Sequence, residues 1–167
     1  MTDQAPIQNH TLTECDLATL ERMAHHLAAQ LQGGDILLLN GTLGAGKTQL
    51  SKFLIQSLTD GAQEVPSPTF TLVQTYEASN FDIWHFDLYR LESDMELEEI
   101  GWFEQIEGRV SLVEWPDRLG AYLPESYLSL DLQFSQTPET RDIRLSSFGP
   151  AWKDRSLSHI TEQDLAS

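Results

Sequence analysis

Gly41-Thr42-Leu43-Gly44-Ala45-Gly46-Lys47-Thr48 satisfies the pattern G-x-x-x-x-G-K-[ST] at every fixed position. Its glycines let the backbone curl until successive N–H groups face one anion. Lys47 adds a point charge for the outer phosphates, and the Thr48 hydroxyl is placed to ligate magnesium. The helix that follows points the positive end of its dipole at the same phosphates. The flanks are those such a loop needs. Residues 35–40 form a short apolar run, Asp35-Ile36-Leu37-Leu38-Leu39-Asn40, that reads as a buried strand. Residues 49–58 carry Leu50, Phe53, Leu54 and Leu58 at helical spacing, with Gly61 as the stop. Strand, loop and helix together predict a phosphate-binding α/β unit.

Composition narrows what can surround that unit. A chain of 167 residues is long enough for one domain with a sizeable core. Its net charge of −16 should repel a phosphate backbone, so any role in nucleic-acid chemistry is expected to run through a partner. Cys15 is the only cysteine, which excludes an internal disulfide and suits a reducing compartment. Residues 1–10 lack the basic and apolar regions of a secretory signal, and no apolar run approaches the length of a membrane span. The expectation is a soluble, cytoplasmic protein, monomeric or weakly oligomeric, with no membrane association.

Residues 13–32 read as an amphipathic helix with Leu17, Leu20, Met23, Ala24, Leu27 and Leu31 on its inner face. Thr13 is the expected N-cap, Asp16 lies close by, and Gly33-Gly34 ends the helix. His25 and His26 are read as part of a solvated face. Beyond the loop helix, Pro66 and Pro68 stiffen residues 64–70 into an extended connection. Residues 71–76 and 81–89 then read as a strand pair turning at Ala78-Ser79-Asn80.

Several residues here carry candidate chemistry. Thr69 either reaches the gamma-phosphate or its magnesium, as a switch loop does, or is an ordinary turn residue. Asp87 sits among Ile83, Trp84, Phe86, Leu88 and Leu91. A carboxylate there needs a partner. It either pairs with Arg90 structurally or acts on magnesium or the attacking water. Ser93 and Glu96 have capping-box spacing and predict a short acidic helix ending near Gly101, with Leu97 and Ile100 inward. Val110-Ser111-Leu112-Val113-Glu114 is an apolar strand ending in an acid, the position that holds magnesium or its water in loops of this class. Trp115 either offers a face to the adenine base or fills the core. Asp117-Arg118-Leu119-Gly120 imitates a GTPase D-x-x-G, but the chain has no N-K-x-D to read guanine.

Residues 127–134 and 140–146 predict an antiparallel pair, with Leu128, Leu130, Leu132 and Phe134 on the buried face and Ser129, Asp131 and Gln133 on the wet one. Arg141 or Arg144 is placed to lean toward a nucleotide, although strand arginines are usually structural. From Pro150 the chain reads as a polar, mobile tail apart from Trp152, Leu157, Ile160 and Leu165.

Four stretches in this order resemble one family: residues 41–48, Ser67-Pro68-Thr69-Phe70, His85-Phe86-Asp87-Leu88-Tyr89-Arg90-Leu91, and Leu112-Val113-Glu114-Trp115-Pro116. They are similar to the bacterial ATPase component of tRNA threonylcarbamoyladenosine biosynthesis, the TsaE family, formerly YjeE. The resemblance spans about residues 11–146. It implies an α/β, P-loop NTPase-like three-layer fold with a mixed parallel and antiparallel sheet, over a core of about 11–148. It implies ATP and Mg2+ as ligands and slow ATP hydrolysis. It also implies partners like TsaD and TsaB, which modify the adenosine next to the anticodon of ANN-decoding tRNAs and would be reset between cycles. By the same resemblance Gly41, Leu43, Gly44, Ala45, Gly46, Lys47 and Thr48 bind the phosphates, and Thr48 and Glu114 hold magnesium. Asp87, Glu114, Lys47 and Thr69 make up the catalytic centre, and Trp115 lies near the nucleotide. Thr42 departs from the aspartate common at its position. The rival readings are a small-molecule kinase with the same loop and a nucleotide-gated binding protein with little turnover.

Overall fold

The computed structural model describes residues 4–59, 61, 63–160 and 165. Its strands are β1 (Gln8–Cys15), β2 (Ile36–Asn40), β3 (Val73–Glu77), β4 (Asp82–Asp87), β5 (Arg109–Glu114), β6 (Tyr127–Phe134) and β7 (Arg141–Phe148). Its helices are α1 (Leu17–Ala28), α2 (Lys47–Leu58) and α3 (Asp94–Glu99). All seven strands join one sheet in the order β1-β7-β6-β2-β5-β4-β3. The four central strands run parallel, because β2 pairs parallel with β5 and β6, and β4 with β5. Antiparallel pairs close both sides: β3 on β4, and β7 and β1 beyond β6.

The continuous apolar runs of β2 and β5 follow from their position, since both faces are covered. Leu37, Leu39, Ile83, Val110, Leu112, Leu128 and Leu130 share a core with α1 and α2. Ile36, Leu38, Phe86, Val113 and Tyr127 share a second core with Leu97 of α3, Trp102 and Leu119. The result is three layers with a mixed sheet. The turn between Ala78 and Phe81 joins β3 to β4, and Glu96 accepts from the Ser93 N–H at 2.9 Å. Strand β3 begins later than the sequence suggests, because Leu72 (φ +64°) closes a turn onto the Pro68 carbonyl at 2.7 Å.

Four expectations need correction. The first helix starts at Leu17, not after Thr13; Asp16 caps it, accepting from the Thr19 N–H at 2.8 Å. Thr13 instead belongs to β1, whose only buried side chains are Leu12 and Cys15. A strand with so thin an apolar face leaves little signal, and Leu17 is 60% exposed rather than inward. In β6 the supposed wet face is largely covered: Ser129 is buried and Asp131 half-buried, on the face whose Tyr127 belongs to the second core. Phe134, expected inward, is 57% exposed. Over its described residues, 150–160 and 165, the expected mobile tail is anchored: Trp152, Leu157, Ile160 and Leu165 are all buried in the first core, and the rest of the tail lies outside the described residues. Arg155 seals it, donating to Asp35 at 2.6 Å and 2.9 Å while lying 3.9 Å from the Trp152 ring. Sparse apolar residues without a helical or strand period read as tail, although each has a site in the core.

Candidate functional site

Parallel pairing brings the C-terminal ends of β2, β5 and β4 together. Leu39 stands opposite Glu114, and Glu114 opposite Asp87. The loop between β2 and α2 opens onto this edge. Gly41 is required there: a Cβ would stand 2.7 Å from the Leu132 carbonyl and 2.9 Å from the Ala45 Cβ. Gly46, at φ +107°, turns the chain into α2. Ala45 is buried, whereas Leu43 at the loop's tip is 79% exposed.

Lys47 is 5% exposed, and its Nζ donates to the Gly41 carbonyl at 2.6 Å and the Thr42 carbonyl at 3.0 Å. The same Nζ stands 4.1 Å from the centroid of the Trp115 ring. Burial pulls the Lys47 ammonium below its ordinary value of 10.5, and the Glu114 and Asp87 carboxylates oppose that pull.

The two acids have different partners. The Thr48 hydroxyl donates to Glu114 Oε2 at 3.0 Å, and His85 Nε2 lies 2.8 Å from Glu114 Oε1. His85 and Glu114 are both buried. Asp87 Oδ2 accepts from the Thr69 hydroxyl at 3.1 Å, and Oδ1 from the Tyr89 N–H at 3.1 Å. The Thr69 and Ser67 hydroxyls are 2.7 Å apart. Asp87 does not pair with Arg90, which lies 4.5 Å over the Phe70 ring instead. Its partner is a hydroxyl and a backbone amide, so the structural salt-bridge reading is withdrawn.

Lys47, Thr48, Thr69, Asp87 and Glu114 therefore meet at one edge. Trp115 joins them on the Lys47 side, held at φ +58° with its ring 4.9 Å from that of Tyr89. Arg141 reaches the other side of the loop, donating from Nε to the Ala45 carbonyl at 3.0 Å and from Nη2 to the Gly44 carbonyl at 3.2 Å. Arg144 turns away to Asp131 at 3.4 Å. His85 was not singled out from the sequence, yet strand parity puts it on the face of Asp87, two residues away.

Oxygen donors from Thr48 and Glu114, set beside a phosphate-binding loop, suit magnesium. Among the described residues no group of three or more His, Cys, Asp or Glu side chains is assembled to hold a metal. Among the described residues no helix is long and apolar enough to cross a membrane.

Comparison with known proteins gives a consistent result. The family model described as threonylcarbamoyl adenosine biosynthesis protein TsaE matches residues 15–143. A Rickettsia conorii protein named tRNA threonylcarbamoyladenosine biosynthesis protein TsaE is 42% identical over 113 residues, covering 68% of this chain and 65% of that protein. The protein of the same name in Bacillus subtilis is 36% identical over 123 residues, covering 73% of this chain and 75% of its own. The chain thus spans slightly less than two thirds of the Rickettsia conorii relative, at 65% of its length. A crystal structure of Bacillus subtilis YdiB superposes with a TM-score of 0.66 at 25% identity, covering 85% of this chain and 87% of that one.

Proposed function

Because this chain belongs to the TsaE family, we propose that it binds ATP with Mg2+, hydrolyses it slowly, and serves threonylcarbamoyladenosine formation in tRNA by resetting a TsaD–TsaB-like complex between cycles. The observation that carries the reading is the meeting of Lys47 and Thr48 with Asp87 and Glu114 at the ends of three adjacent parallel strands. The net charge of −16 argues that tRNA is met only through the partner complex, in the cytoplasm where the modification is made.

Phosphoryl transfer to water is mainly a matter of positioning and charge stabilisation. The loop amides and the Lys47 ammonium bind the outer phosphates. Lys47 leaves the loop carbonyls to do so, and Trp115 shields one side of it. Thr48 and Glu114 are the residues that would hold magnesium, and the ion would supply charge neutralisation on the phosphates. His85 fixes the Glu114 carboxylate at Oε1, and the Thr48 hydroxyl meets Oε2. Asp87 orients the attacking water, because its partners leave it lone pairs and it is not tied to Thr48. Thr69 holds Asp87 in place and brings the 67–70 segment to the outer phosphate.

Arg90 lies over Phe70, and Arg141 is bound to the far side of the loop, so neither is set at the outer phosphate. Hydrolysis by the isolated chain is therefore slow. A kinase lid is not favoured, since Arg109, the one arginine bounding the acidic segment 93–109, is buried against backbone carbonyls. The test is steady-state ATP hydrolysis by the chain alone and with TsaD, TsaB and tRNA. Slow turnover alone, with repeated tRNA modification only when this chain and ATP are present, is the expected result. Indifference of both ATP use and tRNA modification to the mixture would refute the role.

A further inference from the structure

Most arginines of this chain are bound to oxygen. Arg22, Arg109, Arg141, Arg144 and Arg155 each donate to a carbonyl or a carboxylate. Arg90 is an exception. It is exposed, and among the described residues no carboxylate forms an ion pair with it, although the chain carries 26 acidic residues. Its guanidinium lies instead 4.5 Å from the centroid of the Phe70 ring. Phe70 is 81% exposed, so the ring is not there to fill a core.

Both members of this pair are tied to Asp87. On one side the Tyr89 N–H donates to Asp87 Oδ1 at 3.1 Å, and Arg90 is the next residue. The Arg90 Cα is therefore no more than about 8.5 Å from that oxygen, most of which an extended arginine side chain spans. On the other side the Thr69 hydroxyl donates to Asp87 Oδ2 at 3.1 Å, and Phe70 is the next residue. The segment carrying Phe70 is held in a set shape. Leu72, at φ +64°, closes its turn onto the Pro68 carbonyl, and its own carbonyl accepts from the Asp87 N–H at 3.0 Å. A leucine in the left-handed region costs energy and persists only where its surroundings impose it. The ring is thus presented at a fixed place, next to the carboxylate and under the arginine. Phosphate oxygens beside Asp87 compete with the ring for that one cation through charge-assisted hydrogen bonds.

We propose that Arg90 is a catalytic residue for ATP hydrolysis and that Phe70 holds it back from the outer phosphate. This rests on the nucleotide reading above, so the test separates the two. In the reaction the water oxygen bonds to the terminal phosphorus. The bond from that phosphorus to the bridging oxygen breaks, its electron pair leaves with ADP, and the water's proton passes to solvent. Negative charge is spread over the phosphoryl and leaving oxygens, and Arg90 neutralises it there. The ring sets the fraction of molecules in which the arginine does so.

Steady-state hydrolysis by wild type, Phe70→Ala, Arg90→Ala and the double variant is the test, with ADP affinity by calorimetry as the control. Phe70→Ala should raise kcat about two- to fivefold, the share that an exposed cation–ring contact can hold. Arg90→Ala should lower kcat at least about tenfold. The double variant should match Arg90→Ala, because the ring has no cation left to hold. ADP lacks the outer phosphate, so its affinity should stay within about twofold throughout.

A rate for Phe70→Ala at or below that of wild type would overturn the proposal. So would a gain that persists in the double variant, since the ring would then act on something other than Arg90. Full activity of Arg90→Ala would remove the arginine from the reaction, and a matching loss of ADP affinity would make it a binding group instead. Each of these results leaves the nucleotide reading intact as long as wild type binds ADP. Wild type that binds no ADP would remove that reading itself. Both side chains are exposed, so the variants keep the fold on which the comparison depends.

Discussion

Strand β5 begins and ends on buried charge, and its two ends do different work. At its start Arg109 is 1% exposed and donates to the carbonyls of Gly101, Trp102 and Glu104 and to the Ser111 hydroxyl. Its guanidinium lies 4.3 Å from the Trp84 ring centroid. Burial pushes it down to about 10, against an opposing pull from Glu104, so it is still charged at neutral pH. At the other end Glu114 meets Thr48 and His85, close to the buried Lys47. Both ends hide a cation from water. Arg109 has partners that nothing could replace, whereas Lys47 rests on loop carbonyls that phosphate oxygens can displace. Burial of a charge is therefore no sign of function by itself. Replaceable partners at the C-terminal edge of parallel strands are.

The comparison breaks first if Arg109 is not structural. Arg109→Met should lower the unfolding free energy by about 3 kcal/mol or more, because several buried acceptors lose their donor at once. Denaturant unfolding measures it. A loss under about 1 kcal/mol would deny Arg109 its role. The pH dependence adds a check. With the folded value near 10, below the ordinary guanidinium value, the unfolded chain binds more protons only between the two. Stability from this group then rises with pH only in that window. Removing Arg109 should leave the slope of stability against pH unchanged between about 6 and 9.

Lys47→Met is the matching change at the other end. ATP hydrolysis should fall about 10²–10³-fold. Stability should hold or rise by about 1 kcal/mol, since the ammonium's lowered proton affinity shows that burial disfavours its charge. Turnover near wild type would refute the loop assignment, and a large loss of stability would erase the contrast with Arg109.

How much of this was legible follows from how each signal is written. The phosphate loop is a fixed pattern, and strands buried on both faces announce themselves as apolar runs, so β2, β5, α2 and Glu114 could be placed from sequence. The β3–β4 pair, and Asp87 on it, followed from alternation and turn residues. β1 could not be seen, because only Leu12 and Cys15 face the core and its pairing with β7 spans nearly the whole chain. The tail hid for the same reason: Trp152 and Leu157 are buried by distant elements, not by a local period. Parity would have found His85. No sequence rule gives the reach of Arg141, which depends on how far β7 lies from the loop.

His85→Asn probes how the functional end is held. The rigid ring that fixes Glu114 Oε1 is lost. The Mg2+ concentration giving half-maximal ADP binding should rise about tenfold, a loss typical of partners that orient a ligating group. An unchanged Mg2+ requirement would mean that His85 only fills the core.

The smallest change concerns Thr42, whose position carries aspartate in many relatives by the resemblance drawn from the sequence. Lys47 holds the Thr42 carbonyl, at 3.0 Å, and the side chain is exposed. Thr42→Asp leaves that carbonyl in place and adds a charge at the surface, where solvent and salt screen it. ATP affinity should stay within about twofold of wild type at moderate ionic strength. A larger loss would place the Thr42 side chain against the phosphates. It would also mean that the two ends of β5 differ less in their partners than in how tightly the loop around Lys47 must close.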